Sequence, residues 1–250
     1  MNGTTNLNNN ENSSLLFWIN RRTGRQGRYK YLRNERDSIS IVELNKLYNL
    51  DCMEGMAQFP DKYFDLAIVD PPYGIMETGG QSGGCVGHLK DRVFNKFMRE
   101  GSVWDKKPDE EYFKELFRLS ENQIIWGGNY FTLPPTRGII CWDKVQPWEN
   151  FSAWEYGWTS FSKPSKIFKK DNRTGDKIHP TQKPIALYKW LLKNYAQEDF
   201  KIIDTHAGSC SSVIAFLDYG CDWIAFEIGE DYYKSANSRI ENHKLQLRLF

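Results

Sequence analysis

The sequence predicts an α/β fold of the Rossmann-like type, in which a mixed, mostly parallel sheet carries helices on both faces. Short apolar runs alternate along the chain with segments that have apolar residues at helical spacing. The apolar runs at 64–69 and 200–204 each lead into or end at an aspartate, and a glycine-containing turn follows the second run. In open α/β sheets the ligand site lies beyond the carboxyl ends of the strands, so these aspartates are candidate site residues.

Local patterns place the individual elements. Apolar runs of strand length predict strands at 64–69, 123–126, 139–142, 200–204 and 222–226. An earlier strand is predicted at 46–49, with 39–43 as the alternative. Apolar residues at helical spacing predict helices at 109–120, from 184 to 195 and at 212–219, with a short helix between 52 and 59. Gly220 suits the end of the helix at 212–219, because glycine readily adopts the left-handed conformation found there.

Composition excludes several classes of protein. The hydrophobic fraction is 40%, and no run approaches the ~20 apolar residues of a membrane span or the core of a signal peptide. We therefore expect a soluble, cytoplasmic protein. The five cysteines are scattered without a C-x-x-C pair, and the four histidines include no H-E-x-x-H, so neither a disulfide framework nor a metal site is indicated.

The chain divides into a predicted disordered, basic N-terminal arm at 1–37 and a single folded domain at 38–250. The arm is basic and carries candidate nucleic-acid contacts at Arg21, Arg22 and Arg25. Arginines along a segment can bind phosphates, and a solvated tail is the alternative of equal weight. A second basic stretch lies in a predicted loop, where contact with a nucleic-acid backbone is favoured; its candidates are Lys169, Lys170 and Arg173.

The run Asp70-Pro71-Pro72-Tyr73 follows a buried strand and builds a pocket for an amino group. The two prolines fix the backbone in an extended bend and remove two N–H donors. Asp70 and the Pro71 carbonyl are then two acceptors, and Tyr73 offers a flat face for a ring. The glycine-rich segment at 75–89, which follows directly, is predicted to be a flap over the substrate.

A βαβ unit near the carboxyl end predicts a nucleoside site. Glu227 ends its second strand 19 positions after the turn residue Gly208, close to the ~20 expected for a carboxylate that binds ribose hydroxyls. The turn has one glycine where a dinucleotide site would have three. A nucleoside cofactor without phosphate is therefore favoured over NAD or FAD.

These motifs resemble those of one enzyme family. Asp70-Pro71-Pro72-Tyr73 resembles the catalytic loop of the DNA amino-methyltransferases, and 179–184, His-Pro-Thr-Gln-Lys-Pro, resembles the H-P-T-x-K-P element of their β-ordered subgroup. Segments 126–131 and 141–144 resemble counterparts in small phage-type members. The resemblance covers about 45–240.

The resemblance implies an S-adenosylmethionine-dependent methyltransferase domain at 38–250, with target recognition within about 75–177. It implies methyl transfer to N6 of a flipped-out adenine in double-stranded DNA, with cytosine N4 as the nearest alternative; a homodimer is one option for its assembly. It also implies that Asp70, Pro71, Pro72 and Tyr73 are catalytic. The implied cofactor-binding residues are Asp51, Thr181, Lys183, Asp204, Gly208, Ser209 and Glu227, with Thr181 and Lys183 near the methionine end.

The turn departs from the family string D-P-F-x-G-S-G-T. Asp204, Gly208 and Ser209 are kept, whereas Cys210 stands where the family has glycine. A side chain at this position is expected where the backbone normally passes the cofactor, which predicts weaker cofactor binding. A catalytically weak or inactive DNA-binding relative is therefore the alternative from another class of function.

Overall fold

A computed structural model describes residues 15–19, 26–30, 42–74, 105–146, 152–171, 178 and 181–247. Strands β1 (Leu15–Ile19) and β2 (Gln26–Lys30) form a separate antiparallel pair within the N-terminal segment. All other strands among the described residues belong to one sheet: β3 (Lys46–Tyr48), β4 (Phe64–Val69), β5 (Ser120–Trp126), β6 (Ile139–Asp143), β7 (Trp154–Thr159), β8 (Lys166–Lys169), β9 (Lys201–Asp204) and β10 (Asp222–Phe226).

The eight-stranded sheet has the order β3-β10-β9-β4-β5-β7-β6-β8. Strands from β3 to β5 in this order are parallel, β7 runs antiparallel to β5 and β6, and β8 is parallel to β6. The prediction of a mixed, mostly parallel sheet is confirmed.

Helices cover both faces of the sheet, as predicted. They are α1 (Cys52–Met56), α2 (Glu110–Leu119), α3 (Ile185–Tyr195), α4 (Ser211–Tyr219) and α5 (Glu230–Leu247), and a 3-10 turn spans Gly128–Tyr130. The side chains of β4 alternate between two core layers: Leu66 and Ile68 pack with α3, α4 and α5, whereas Ala67 and Val69 pack with α1 and α2. This alternation is the period-two pattern of a strand buried on both faces.

Two strands correct the sequence analysis. The segment around Lys166 and Lys169 was predicted to be a loop, which is wrong, because these lysines belong to β8 and pair in register with β6. Strand β7 spans Trp154–Thr159, where no element was predicted. The pair of β1 and β2 lies inside the predicted basic arm, and α5 was not predicted either.

Several predicted features lie outside the described residues. They are the predicted disorder at 1–14, the flap at 75–89, the motif residues His179 and Pro180, and the candidate contacts Arg21, Arg22, Arg25 and Arg173. Within the described part of the chain, no helix combines the length and apolar character needed to cross a membrane. The same residues contain no cluster of three or more His, Cys, Asp or Glu side chains that could hold a metal ion.

The parallel strands place the candidate site. Because β3, β10, β9, β4 and β5 run in one direction, their carboxyl ends meet at one edge of the sheet. Strand β9 lies between β10 and β4 at the centre of this group. The residues that follow β4, β9 and β10 are therefore neighbours, although they are far apart in the sequence.

Asp218 on α4 links three helices on one face of the sheet. Its carboxylate lies 2.6 Å from Lys189 Nζ of α3 and 2.6 Å from His243 Nε2 of α5. Asp218→Asn is expected to lower the free energy of unfolding by about 0.5–1 kcal/mol, because these contacts are only partly shielded from water. Urea denaturation at pH 7 measures it. Glu241→Gln, which removes an exposed pair within α5, is the control, and an equal loss in both variants would contradict the assignment.

Candidate active site

Three carboxylates gather at the carboxyl edge of the sheet. Asp70 follows β4, Asp204 ends β9, and Glu227 follows β10. These strands are adjacent, and Ala225 of β10 pairs directly with Asp204. Asp70 and Glu227, which belong to two separate sequence motifs, thus lie at the same edge of the sheet.

Both oxygens of Asp70 are engaged. Tyr73 donates its hydroxyl hydrogen to Oδ1 at 2.7 Å, and the ammonium of Lys183 pairs with Oδ2. Lys183 Nζ also lies 3.5 Å from the Tyr73 hydroxyl oxygen. Burial, together with the negative charge of Asp70, raises the pKa of Tyr73 well above its usual value, so the phenol stays protonated and acts as a donor.

Lys183 is buried, with 3% of its side chain exposed, and contacts a second carboxylate. Its Nζ lies 3.1 Å from Glu155 Oε2 on β7, and Glu155 Oε1 lies 2.6 Å from Lys144 Nζ just after β6. Burial disfavours the charged ammonium, but Asp70 and Glu155 outweigh this effect and raise the pKa of Lys183. The four side chains form a row of alternating charge, so the buried charges compensate one another.

The Asp70–Tyr73 loop is fixed by a residue that the sequence analysis missed. Buried Asp105 accepts hydrogen bonds from the backbone N–H of Tyr73 and of Gly74, both at 3.1 Å. Since the two prolines have no N–H to donate, these are the first backbone donors available after Asp70. Asp105 thereby holds the loop in its extended bend.

The ring of Tyr73 packs against the turn that follows β5. It stacks on Tyr130 with ring centroids 4.7 Å apart and an interplanar angle of 13°. It also lies over Gly127, where an added Cβ would come within 2.2 Å of the Tyr73 ring. Gly127 has φ +69°, which glycine adopts without strain. The face of Tyr73 that was predicted to stack on a ring is thus covered by Tyr130, and its contact with a base stays a prediction.

The turn after β9 is built around Glu227 and Asp204. Glu227 accepts the N–H of Gly208 at 2.8 Å and that of Gly229 at 2.8 Å, which brings together the two residues whose spacing predicted a nucleoside site. Asp204 accepts the hydroxyl of Ser212 at 2.5 Å and the N–H of His206 at 3.0 Å. Both acids thus shape the backbone of the turn.

A further tie to this turn comes from α5. Arg239 donates to the carbonyl oxygen of Ser209 at 2.8 Å and to Ser211 Oγ at 3.2 Å. Ser209 itself is buried. Because α5 was not predicted, the sequence carried no sign of this contact.

Cys210 adopts the left-handed conformation, with φ 57°, immediately before α4. Such a conformation costs a non-glycine residue about 1 kcal/mol, which is the physical reason for the glycine in the family string. The Cys210 side chain is fully buried and belongs to the core layer that α3 and α4 form. Its expected effect on cofactor binding stays a prediction.

The remaining predicted cofactor residues occupy different positions. Asp51 follows β3 and caps α1, since its Oδ1 accepts the N–H of Met53 at 2.7 Å. Thr181 is exposed at the start of the segment that leads into α3. Lys183 contacts Asp70 and Tyr73, on the β4 side of the edge. The sequence analysis had expected it near the methionine end of the cofactor.

Among the predicted DNA contacts, Lys169 and Lys170 are described. Lys169 Nζ lies 3.5 Å from Asp143 Oδ2, and the Lys169 side chain is 71% exposed. The backbone N–H of Lys170 donates to the Asp143 carbonyl. Neither lysine contacts the carboxylates of the edge in a described interaction, and their role toward DNA stays a prediction.

The residues that sequence reasoning missed are Asp105, Tyr130, Lys144, Glu155 and Arg239. Glu155 carried a detectable signal, because a glutamate between Trp154 and Tyr156 is unusual in an aromatic strand. Chemically, the edge combines an anionic acceptor on the β4 side with acids and backbone groups on the β9 and β10 side. It can hold an amino group at Asp70 beside a polar, cationic nucleoside.

The raised pKa of Asp204 is expected to make the free energy of unfolding depend on pH. Burial raises its pKa from 3.8 to about 7; hydrogen bonds from Ser212 and His206 oppose the rise, and the charges of Asp70 and Glu227 add to it. Between pH 3.8 and about 7, the Asp204 carboxyl is protonated in the folded state but ionised in the unfolded state. This contribution to stability is therefore greatest below pH 4 and is lost as the pH rises toward 7.

Asp204→Asn cannot ionise, so it is expected to remove this fall in the free energy of unfolding. The fall is on the order of a few kcal/mol, since one pKa unit corresponds to about 1.4 kcal/mol. Burial lowers the pKa of His206 to about 4, which gives the opposite slope over part of the same range. The readout is consequently the difference between wild-type and Asp204→Asn unfolding free energies, measured by urea denaturation from pH 4 to 8. A difference that does not change with pH would contradict the assignment.

Comparison with known proteins identifies the family of the chain. A family model described as DNA methylase, for N6 and N4 methyltransferases, matches residues 98–238, more than half of the chain. The Type II methyltransferase M2.MboI of Moraxella bovis is 26% identical over 246 residues, covering 77% of this chain and 86% of that protein.

Solved structures share the fold. The M1.HpyAVI–SAM complex matches with a TM-score of 0.52 and 16% identity, covering 78% of this chain and 98% of that one. The PvuII DNA methyltransferase, described as cytosine-N4-specific, matches with a TM-score of 0.50 and 14% identity, covering 77% and 85%. With the family model, the motifs and the fold in agreement, the chain belongs to the N6/N4 family of DNA methyltransferases.

Proposed function

We propose that the protein transfers a methyl group from S-adenosylmethionine to the exocyclic N6 of an adenine flipped out of double-stranded DNA. The observation that carries the proposal is the position of Asp70. This anionic acceptor follows β4 and lies next to the strand that leads into the Glu227-linked turn. An amino group held by Asp70 would therefore face a nucleoside bound at that turn.

The residues at the turn fit S-adenosylmethionine. Glu227 is within reach of the turn backbone at Gly208, so it can bind ribose hydroxyls there. The acids at this edge also suit a cationic ligand, since opposite charge stabilises both. When bound, S-adenosylmethionine supplies a methyl group on a positively charged sulfur, which is already activated for transfer. The solved relative M1.HpyAVI was crystallised with this cofactor, which supports the assignment.

Asp70 prepares the amino group for reaction. The lone pair of an aromatic amine is delocalised into the ring, so the nitrogen is a weak nucleophile. Hydrogen bonds from its two N–H groups, to Asp70 and to the Pro71 carbonyl, would draw it toward a tetrahedral shape. With S-adenosylmethionine bound, this nitrogen would accept the methyl group from the sulfur, which keeps the electrons of the S–C bond, and one amine proton would leave toward Asp70.

Base flipping follows from geometry, because an exocyclic amine inside a duplex cannot reach a side chain at the edge of a sheet. Tyr73 would stack on the flipped base in place of Tyr130. Target recognition is proposed for elements within 75–177, with Lys169, Lys170 and Arg173 as contacts to the DNA backbone. The basic residues Arg21, Arg22 and Arg25 are proposed to bind phosphates as well.

Cytosine N4 is the second candidate, because the PvuII enzyme shares the fold and is cytosine-N4-specific. Asp-Pro-Pro-Tyr favours adenine by its resemblance to the adenine enzymes. Incubation with methyl-labelled S-adenosylmethionine and unmethylated plasmid DNA, followed by nucleoside chromatography, separates them. Label in N6-methyldeoxyadenosine supports the proposal, label in N4-methyldeoxycytidine supports the second candidate, and the absence of label in DNA contradicts both.

Asp70→Asn is expected to retain cofactor binding but to lower the rate of methyl transfer by at least about 100-fold, as for removal of a general base. The asparagine side chain keeps the shape of the aspartate but has no negative charge. Glu227→Gln makes the same change on the cofactor side and is expected mainly to weaken S-adenosylmethionine binding. Calorimetric cofactor titration and single-turnover methyl transfer measure both. A reversed pattern between the two variants would contradict the assigned roles.

Gly127→Ala is expected to reduce methyl transfer strongly, because its Cβ would come within 2.2 Å of the Tyr73 ring and displace it. Gly220→Ala is the matched control. Gly220 also has positive φ, at +81°, but an added Cβ there meets no atom within 4 Å. Both variants carry similar backbone strain of about 1 kcal/mol. Equal methyl-transfer rates in the two variants, with equal melting temperatures, would show that Tyr73 is not placed by Gly127.

A further inference from the structure

Lys183 donates to Asp70, the carboxylate that is proposed to accept a hydrogen bond from the target amino group. Tyr73 occupies Oδ1 of Asp70, and the Lys183 ammonium occupies Oδ2. An entering amine is a weaker donor than a charged ammonium, so it competes poorly at Oδ2 while Lys183 stays there. An ionised carboxylate has further acceptor sites, but the amine gains a stronger hydrogen bond from Asp70 when Lys183 gives up part of its contact.

Glu155 provides a place for the displaced ammonium. Its Oε2 lies 3.1 Å from Lys183 Nζ, and only 23% of the Glu155 side chain is exposed. Moving a buried ammonium away from its carboxylate is costly unless a second carboxylate is within reach. When the ammonium moves, Lys183 and Lys144 both remain paired with Glu155, whereas Asp70 exchanges its cation for the hydrogen bond of the target amine.

The surroundings leave Lys183 few other partners among the described residues. Its ammonium lies 5.4 Å from the centre of the Trp126 ring and 6.0 Å from that of Tyr73. These aromatic faces tolerate a cation but do not accept its hydrogen bonds as a carboxylate does. Glu155 is thus the partner built for the ammonium when it leaves Asp70.

We propose that Glu155 is a positioning residue for methyl transfer, which receives the Lys183 ammonium when the target amino group takes Oδ2 of Asp70. This inference rests on the proposed function. Glu155 lies on β7, outside the loop and the turn that carry the family motifs, and acts through Lys183 without touching the substrate. Lys144 holds Glu155 from the other side, at 2.6 Å.

The first test is Glu155→Gln in single-turnover methyl transfer to plasmid DNA. The amide keeps the size of the side chain but removes the charge that attracts the ammonium, so Lys183 remains on Asp70. We expect the rate constant to fall at least about tenfold, with S-adenosylmethionine affinity within about twofold of wild type. Glu111→Gln, the same change on the exposed face of α2, is the control. A wild-type rate in Glu155→Gln would overturn the proposal.

A double-mutant cycle separates positioning from a structural role. If Glu155 acts through Lys183, then Glu155→Gln causes no further loss of rate once Lys183→Met is present. The same fractional loss in both backgrounds would overturn the proposal. Glu155→Asp keeps the charge and is expected to recover most of the rate, which provides a second readout if Lys183→Met fails to fold. A rate in Glu155→Asp as low as in Glu155→Gln would also overturn it.

Methyl transfer by the wild-type protein tests the proposed function separately from the role of Glu155. Absence of methyl transfer to DNA by the wild type would contradict the proposed function itself. Methyl transfer by the wild type, with an unaffected Glu155→Gln variant, would leave the proposed function standing and remove only the role of Glu155.

Discussion

The ion pair between Asp70 and Lys183 joins two segments that lie 113 residues apart in the sequence. One segment follows the central strand β4, and the other leads into α3. The pair is largely buried, and Glu155 and Lys144 continue the alternation of charge, so the buried charges compensate one another. The orientation of Asp70, the hydrogen bond from Tyr73 and the role assigned to Glu155 all depend on this contact.

The order of the parallel strands places the turn after β9 and the carboxylate after β10 beside this ion pair. Strands β9 and β10 end next to β4, so the turn at Gly208 and the carboxylate of Glu227 share its edge. Burial is the main cause of the raised pKa of Asp204, and the charges of Asp70 and Glu227 add to it. A cationic ligand at this edge would be stabilised by the negative charges there.

The motifs that could be predicted from sequence are local ones. Asp70 to Tyr73 and the Gly208–Glu227 pair were found because strand, turn and acid follow one another along the chain. Glu155 was missed because its role depends on β7 lying beside β5, and sequence periodicity does not determine which strands become neighbours. Strand β8 was missed because two of its four residues are lysines, and only pairing with β6 makes it a strand.

A crystal structure with a non-reactive cofactor analogue and a DNA duplex tests the central claim most directly. We predict a flipped base whose exocyclic nitrogen lies within hydrogen-bond distance of Asp70, with the Lys183 ammonium shifted toward Glu155 and the analogue beside Glu227. A base bound with its amino group away from Asp70, or Lys183 still closing Oδ2 over a correctly seated base, would contradict it.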